Sequence, residues 1–197
     1  MQPCLSIIVP ALNEASGIAH TLAALAPLRK RGTQIIVVDG GSTDATPELA
    51  AAHADLVMNS APGRALQMNA GAKQAHAQTL LFLHADTALP NNADTLILDA
   101  LNNKPGWGRF NIKITGKHPM LGVIGFMMNI RSRLTGIATG DQAIFVSRRL
   151  FDDVSGFPSQ PLMEDIELCK RLRQRQWPRC VTAQAETSGR RWETRGV

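Results

Sequence analysis

Aromatic residues are scarce in this chain, and their scarcity argues against one class of partner. There is no tyrosine, Phe and Trp together make up 5% of the residues, and no basic run carries interleaved aromatic side chains. Single-stranded nucleic acids are usually held by bases that stack on aromatic rings along a basic groove. The net charge of +5 therefore favours nucleotide phosphates or phospholipid headgroups over nucleic acid.

Paired cysteines and long apolar runs are also missing. Cys4, Cys169 and Cys180 are far apart and form no CxxC pair, which fits neither a disulfide framework nor a zinc site and favours a reducing cytoplasm. The apolar stretch 120–130 is only about half as long as a bilayer span, so we predict no transmembrane helix. Pro10 interrupts the first apolar run, which predicts a core strand rather than a signal peptide.

The loop after the first predicted strand lacks the glycine motif of dinucleotide-binding enzymes. Residues 10–13 read Pro-Ala-Leu-Asn, where a dinucleotide enzyme or a methyltransferase would carry GxGxxG. A nucleotidyltransferase would more typically carry a loop rich in glycine and basic residues at this point. Both kinds of loop are missing here, which makes all three classes less favoured. A nucleotidyltransferase nevertheless remains an alternative, because it also joins a metal-binding acid to a Rossmann-like sheet.

Strand and helix patterns alternate along the chain as they do in βαβ units. The predicted strands are residues 5–9, 35–38, 56–58, 79–83, 107–114, 143–146, 181–186 and 190–193. The predicted helices are residues 15–28, 47–53, 65–77, 91–102, 120–137, 150–154 and 163–175. We therefore predict one α/β domain over residues 1–197, with a Rossmann-like half (1–104) and a half with a smaller mixed sheet (105–197).

Residues 35–47 are the most informative segment. Four β-branched apolar residues are followed by Asp39, two glycines, a Ser/Thr/Asp cluster and Pro47. The apolar run predicts a strand buried on both faces, so Asp39 lies at its carboxyl end, where open α/β sheets bind ligands. The alternative is an acid that caps the turn. We expect Thr46 or Asp44 to cap the following helix, with Pro47 in its first turn.

Similar polar positions end other predicted elements, and their motifs resemble those of glycosyltransferase family 2. The matching segments are residues 6–14, 38–44, 81–86, 163–165 and 173–177, in the order of that family. The resemblance implies an α/β fold of the GT-A type and inverting transfer from a nucleotide-diphosphate sugar, with a UDP-sugar favoured. Residues 63–71 and 188–193 further resemble a small bacterial branch labelled arsenosugar-biosynthesis glycosyltransferases.

The resemblance places the nucleotide in the 1–104 half. Asp39 would accept a hydrogen bond from the base, while the loop that carries Pro10, Asn13 and Glu14 would wrap the nucleoside. Arg64 would pair with phosphate or contact the base at the start of a helix. The alternatives are a helix-start acid at Glu14, favoured by the helix dipole, and a solvated surface arginine at Arg64.

His84-Ala85-Asp86 occupies the place of the family's DxD motif. The resemblance implies that Asp86 binds Mg²⁺ or Mn²⁺, because a leaving diphosphate must be neutralised by a hard cation on carboxylate oxygen. His84 replaces the first acid of the motif, which departs from the pattern. It either contacts the ribose or ends a buried strand.

The pair Glu164-Asp165 matches the acidic pair that carries the family's catalytic base. Inverting transfer needs one carboxylate to take the proton of the acceptor hydroxyl, and the resemblance favours Asp165, with Glu164 in support. The alternative is a pair of helix-start acids that complement the dipole. Gly140 and Asp141 match a loop near the donor sugar or acceptor, although turn chemistry also accounts for them.

Several readings stay open at this stage. Residues 173–177 resemble the (Q/R)xxRW element of processive members, but Gln176 stands where that pattern has Arg, so processivity is unsupported. The alternatives to glycosyl transfer are nucleotidyl transfer and a catalytically degenerate nucleotide-sugar-binding protein. The acceptor and the oligomeric state are left open.

Two further expectations concern location and length. A cytoplasmic protein is expected, with the inner face of the membrane as the alternative, because residues 120–137 with Arg131 and Arg133 are compatible with a bilayer surface. A core helix is the favoured reading of that stretch. The chain ends just after a predicted strand, where relatives commonly continue, so a truncation of the acceptor half (105–197) is a further alternative.

Overall fold

A mixed eight-stranded sheet organises residues 3–189, the part of the chain that this computed structural model describes. The strands are β1 (Ser6–Ala11), β2 (Gln34–Asp39), β3 (Leu56–Asn59), β4 (Thr79–Phe82), β5 (Thr87–Ala88), β6 (Trp107–Thr115), β7 (Ile144–Ser147) and β8 (Arg179–Ser188). Their order across the sheet is β3-β2-β1-β4-β7-β6-β8-β5.

The first four strands of this order are parallel, and the rest are mixed. β3, β2, β1 and β4 pair in parallel, so their carboxyl ends meet at one edge of the sheet. β7 runs antiparallel to β4 and β6, and β5 runs antiparallel to β8. β6 and β8 are parallel to each other. Across the sheet, the parallel pairing thus ends at β4 and antiparallel pairing begins at β7.

Helices cover both faces of the parallel part, because the side chains of a strand alternate between faces. The helices are α1 (Ile18–Ala24), α2 (Ala26–Lys30), α3 (Thr46–Ala51), α4 (Arg64–Gln74), α5 (Ala93–Leu101), α6 (Met120–Thr135), α7 (Arg148–Asp153) and α8 (Glu164–Arg175). On one face Ile35 and Val37 join a core with α1, α2 and α5. On the other face Ile36 and Val38 pack with α4, α7 and α8.

Several predicted boundaries differ from those observed, each for a local reason. The predicted helix 15–28 is two helices, because Pro27 stands in the first turn of α2 and the chain breaks at Leu25. The predicted helix 120–137 stops at Thr135, because Gly136 takes a left-handed conformation with φ of 65°. β5 has only two residues and is absent from the prediction. The predicted strand 190–193 lies outside the described residues.

The cap of α3 also differs from the prediction. Ala45 is the N-cap residue and Thr46 is already helical, with Pro47 in the first turn as expected. Asp44 nevertheless contributes, because its Oδ1 accepts the Thr46 N–H at 3.0 Å. The Asp44 carboxylate therefore binds the first N–H of the helix, although Asp44 lies one residue before the N-cap position.

α6 is not the fully packed core helix that the sequence favours. Of its side chains only Leu121 and Ser132 are buried, and the helix packs on one side against Ile112 and Ile114 of β6. Across residues 3–189, the helices are all too short or too polar to cross a bilayer.

Candidate functional site

The loops after β1 and β2 are joined by hydrogen bonds at the carboxyl edge of the sheet. Asn13 takes a left-handed conformation with φ of 55°, its N–H donates to Ser42 Oγ at 2.8 Å, and its Oδ1 accepts the Thr43 N–H at 2.9 Å. The N–H of Glu14 donates to Thr46 Oγ1 at 2.8 Å. The loop that follows Pro10 is thus fixed to the loop that follows Asp39.

Asp39 is 3% exposed at the end of β2 and has several partners within its own turn. Its Oδ2 accepts the N–H groups of Gly41 and Ser42 at 2.9 and 2.8 Å, and its Oδ1 accepts the Ser42 hydroxyl. These contacts are the turn-capping alternative given above. A carboxylate oxygen can accept two hydrogen bonds, so Oδ1 keeps capacity for one further donor.

Gln67 of α4 is a buried polar residue to which the sequence analysis gives no role. Its Nε2 donates to the carbonyl oxygens of Ala11 and Val38, at 2.8 Å each, and so it ties the ends of β1 and β2 together. A Cβ at Gly40 would lie 3.0 Å from the Gln67 amide. A helical Gln usually faces water, so its residue type gives no signal of this role.

Arg64 and Glu164 begin two different helices and face each other. Arg64 is the first residue of α4, and its Nη1 lies 3.7 Å from Oε1 of Glu164, the first residue of α8. The Glu164 side chain is 4% exposed, whereas that of Arg64 is 48% exposed. The distance is an ion-pair contact rather than a hydrogen bond, and it brings a predicted phosphate ligand next to the acidic pair.

His84, Gly140 and Asp141 are also in contact. His84 Nδ1 lies 3.0 Å from Asp141 Oδ1, and a Cβ at Gly140 would lie 2.3 Å from His84 Nε2. Only a glycine allows the imidazole to approach the backbone of this turn so closely. Gly140 in turn donates its N–H to Oδ2 of Asp165 at 2.7 Å.

These contacts surround a pocket at the end of β4. Its lining residues are Met68, Phe82, His84, Gly140, Ile144, Phe157, Glu164 and Asp165. The structure therefore brings His84, Gly140, Glu164 and Asp165 together, with Asp141 and Arg64 in direct contact with members of this set. Asp39, Asn13 and Glu14 form a separate group in the loops after β1 and β2.

Asp86 lies two residues after His84, on the turn that follows β4, and it is exposed. The described residues, 3–189, contain no group of three or more His, Cys, Asp or Glu side chains that could hold a metal ion. A cation such as Mg²⁺ retains several waters and is often bound through one or two carboxylates plus substrate phosphates. Asp86 therefore fits a cation whose other ligands are phosphate and water, and does not fit an all-protein metal site.

Comparison with known sequences gives one family and several distant relatives. The profile of the family described as "Glycosyl transferase family 2" matches residues 6–153. The chain is 25% identical over 189 residues to a poly-beta-1,6-N-acetyl-D-glucosamine synthase of Staphylococcus epidermidis, which covers 85% of this chain and 45% of that protein. It is 28% identical over 130 residues to the synthase of that name from Staphylococcus aureus, covering 61% of this chain and 31% of that protein.

Solved structures show a similar fold. S. aureus TarS 1–349 in complex with UDP-GlcNAc superposes with a TM-score of 0.76 at 18% identity, covering 95% of this chain and 58% of TarS. The mannosyltransferase PcManGT from Pyrobaculum calidifontis, with GDP-Man and Mn²⁺, gives 0.71 at 22%, covering 94% and 57%. Glucosyl-3-phosphoglycerate synthase from Mycobacterium tuberculosis, with Mg²⁺ and UDP, gives 0.67 at 19%, covering 94% and 70%.

These likenesses confirm the predicted fold class, an α/β fold of the GT-A type with a partly antiparallel sheet. The chain spans less than half of the length of the synthases that it matches.

Proposed function

Because this chain belongs to glycosyl transferase family 2, whose profile matches residues 6–153, we propose that it moves a sugar from a nucleotide-diphosphate sugar to an acceptor hydroxyl with inversion at the anomeric carbon. The observation that carries this proposal is the contact between Gly140 and Asp165 beside the pocket at the end of β4. It holds one carboxylate in a fixed orientation at the carboxyl edge of the sheet, where α/β folds bind their ligands.

Asp165 is the proposed general base, and Glu164 is its supporting acid. A base must lie within hydrogen-bond reach of the proton that it removes, and Asp165 lines the pocket directly. Glu164 is buried, and the guanidinium of Arg64 balances the negative charge of its carboxylate. Because Arg64 is half exposed and a guanidinium has five donors, it retains donors for a phosphate of the bound nucleotide.

The nucleotide is proposed to lie over the loops that follow β1 and β2. Pro10, Asn13 and Glu14 would wrap the nucleoside, and Asp39 would use the remaining capacity of Oδ1 for a donor on the base. The hydrogen bonds between these two loops support this assignment, because they hold the loops in one arrangement. In this proposal residues 1–104 form the nucleotide half and residues 105–197 the acceptor half.

Asp86 is the proposed ligand of Mg²⁺ or Mn²⁺. A cation at this position would neutralise the departing diphosphate, and the exposed carboxylate is accessible to it. The solved structures with Mn²⁺ and Mg²⁺ support the choice of a divalent ion. His84 and Asp141, which contact each other, would lie beside the donor sugar, next to the turn at Gly140 that holds Asp165.

A UDP-sugar is the favoured donor, and a GDP-sugar is the alternative. TarS was crystallised with UDP-GlcNAc and the mannosyltransferase with GDP-Man.

We further propose a cytoplasmic location. The likeness of residues 63–71 and 188–193 to the arsenosugar branch stays a prediction. In the first of these segments Gln67 binds two strand carbonyls, and these contacts serve the fold rather than a particular substrate.

Calorimetric titration tests the donor site. UDP, GDP, UDP-GlcNAc and GDP-Man are titrated into the protein with Mn²⁺, and the titration that gives heat is repeated with EDTA. Binding of one nucleotide class that EDTA abolishes is the expected result. The proposal would be overturned if none of the four compounds bound.

Product analysis separates the proposal from its alternatives. Inverting transfer releases the nucleoside diphosphate from the sugar nucleotide in the presence of an acceptor. A nucleotidyltransferase would instead release pyrophosphate from a nucleoside triphosphate and a sugar phosphate. A degenerate binding protein would bind the donor and release neither product with any acceptor.

A further inference from the structure

α6 presents a long row of apolar side chains to solvent. Its exposed members are 37% to 72% accessible, and we call this set the α6 stripe: Met120, Val123, Phe126, Met127, Ile130 and Leu134. Five of the six follow alternating spacings of three and four, which places them on one side of a helix. A contiguous apolar surface of this kind marks an interaction site, whereas single exposed apolar residues do not.

The opposite side of α6 is fixed, so the helix cannot rotate to bury the stripe. Leu121 packs on Ile112 and Ile114. The amide of Asn129 pairs with the backbone of Ile112 in both directions, with Oδ1 accepting its N–H at 2.8 Å and Nδ2 donating to its carbonyl at 2.9 Å. The α6 stripe is therefore a fixed outer surface of the folded chain.

The charged residues in the segment that contains the α6 stripe are all basic. Residues 116–140 include Lys117, Arg131 and Arg133 and contain no Asp or Glu. Arg173 of α8 reaches the same end of the helix, where its Nη1 donates to the carbonyl of Thr135 at 2.7 Å. An apolar stripe flanked by basic residues is the composition of helices that lie in the headgroup region of anionic bilayers.

A tryptophan stands at the carboxyl end of the stripe. Trp177 is 53% exposed, and its ring lies against Gly136, directly after α6. Tryptophan is enriched at the boundary between headgroups and acyl chains, because its ring is apolar and its N–H is polar.

We propose that the α6 stripe docks this protein on an anionic lipid surface, with the helix parallel to the membrane plane and its apolar side chains inserted to a depth of about 5–10 Å. A second copy of the chain is a poorer occupant, because pairing two stripes would bring basic groups together with no acid from residues 116–140 to offset them. Nucleic acid is also a poorer occupant, because it offers no aliphatic surface and five of the six stripe side chains are not aromatic. Docking is independent of the transferase proposal, since it uses none of the residues assigned to the donor site.

Docking would also orient the proposed active site. Thr135 at the end of α6 is bonded to Arg173 of α8, the helix that begins with Glu164 and Asp165. Gln142, in the turn that contains Gly140, donates to Ser132 of α6 at 3.0 Å. The helix on the lipid and the turn that holds Asp165 are thus joined by hydrogen bonds.

Vesicle flotation tests the docking. The full chain is mixed with vesicles of phosphatidylcholine alone or with vesicles that also contain ~30% phosphatidylglycerol, whose anionic headgroups give a negative surface charge. Both samples are floated in the absence of nucleotide. The expected result is binding to the anionic vesicles that weakens at high salt. Equal binding to both compositions, or binding to neither, would overturn the proposal.

Matched variants identify the surface. Phe126→Ser with Met127→Ser should weaken binding about tenfold or more, since both side chains lose apolar contact area, whereas Leu49→Ser with Leu66→Ser, exposed on other helices, should leave it unchanged. Arg131→Gln with Arg133→Gln should weaken binding to anionic vesicles about thirtyfold. Its control, Lys73→Gln with Arg149→Gln, removes two exposed charges elsewhere.

Equal losses in test and control pairs would contradict docking through α6. Sedimentation velocity gives the competing outcome: a dimer that Phe126→Ser dissociates, together with no flotation, would assign the stripe to a second copy and overturn the lipid proposal. Because no nucleotide is present, failure of docking leaves the calorimetric test of the donor site unaffected.

Discussion

The backbone N–H of Gly140 donates to Oδ2 of Asp165 at 2.7 Å. The other oxygen of this carboxylate, Oδ1, accepts the N–H of Ile166 at 2.7 Å. Both oxygens are thus oriented by main-chain donors, which have fewer alternative positions than side chains. The proposed base is held by the turn before β7 and by its own helix.

Asp165→Asn should remove turnover and leave donor binding intact. An amide oxygen can still accept the Gly140 N–H, but a neutral amide cannot take a proton, and general-base catalysis contributes roughly 10²–10⁴-fold. The loss is measured as the rate of nucleoside diphosphate release, next to calorimetric binding of the donor. Glu167→Gln, on the same helix and paired with Arg171, is the control. Wild-type turnover in the Asp165 variant would exclude this residue as the base.

Asp86→Ala should abolish the metal-dependent part of donor binding without lowering stability. The side chain is exposed, so its truncation removes a carboxylate ligand but no packing. Donor affinity is compared with Mn²⁺ and with EDTA, and thermal unfolding is followed in parallel. Asp99→Ala removes another exposed acid and should leave both affinities unchanged. If the Asp86 variant binds the donor as tightly with Mn²⁺ as the wild type does, the metal lies elsewhere.

Gly140→Ala should lower kcat by about 10²-fold while the donor affinity stays close to that of the wild type. The new Cβ would lie 2.3 Å from His84 Nε2, so the turn must shift and carry its N–H away from Asp165. A displacement of about 1 Å near reacting groups has an effect of that size.

A second background separates this steric effect from others. In His84→Ala the ring is gone, and adding Gly140→Ala should have little further effect on kcat. Equal losses in both backgrounds would show that the histidine contact is not the cause.

Gly71→Ala should destabilise the fold by about 1–3 kcal/mol, because overpacking forces neighbours to move. A Cβ there would lie 2.5 Å from Ile8 Cγ2 and 2.9 Å from Val38 Cγ2, where α4 packs on β1 and β2. Gly122→Ala is the matched helical control, since a Cβ there meets nothing within 4 Å, and it should stabilise by up to about 1 kcal/mol. Urea unfolding gives both values, and equal effects would contradict the close packing of α4.

Cys169 should resist thiol reagents in the folded protein. Burial raises the pKa of its thiol to about 12, so the reactive thiolate is scarce, whereas Cys4 is exposed. Labelling with a chromogenic disulfide should therefore modify Cys4 rapidly and Cys169 only after unfolding.

The raised pKa also gives a sign for alkaline stability. The folded state holds the Cys169 proton that the unfolded state loses above a pKa of 9.0, so the stabilisation is complete below pH 9 and decreases as the pH rises through the folded pKa. Cys169→Ala should remove this part of the alkaline loss. An unchanged slope of unfolding free energy against pH in this variant would contradict it.

Much of the parallel half follows from the sequence, because its strands are apolar runs with polar residues at their ends. Apolar runs and their breakers locate β1, β2 and β4, and the family resemblance gives His84 and Asp141 each as a possible substrate contact, while their contact with each other is seen only in the structure. Whether two strands pair in parallel or antiparallel is harder to predict from the sequence. Alternation in β6 predicts a strand but does not reveal that it is antiparallel to β7 and parallel to β8.

Other features escape prediction because they depend on contacts between distant segments. The role of Gln67 depends on two strand carbonyls that only the folded sheet brings within reach. The favoured core helix over 120–137 is wrong for its outer side, since apolar composition alone does not show which side has a partner. The contacts of Asp39 with Gly41 and Ser42 agree with the alternative of an acid that caps its own turn.

The pairing of Asn129 with Ile112 gives α6 a protective role as well. β6 pairs with β7 only at Trp107 and Gly108, so the peptide groups further along that side of the strand face α6 rather than a neighbouring strand. The unpaired peptide groups of an open strand are a template for pairing with another chain. The Asn129 amide bonds both the N–H and the carbonyl of Ile112, as the backbone of a neighbouring strand would. One side chain of α6 thus covers part of the open side of β6 and limits its pairing with a strand of a second chain.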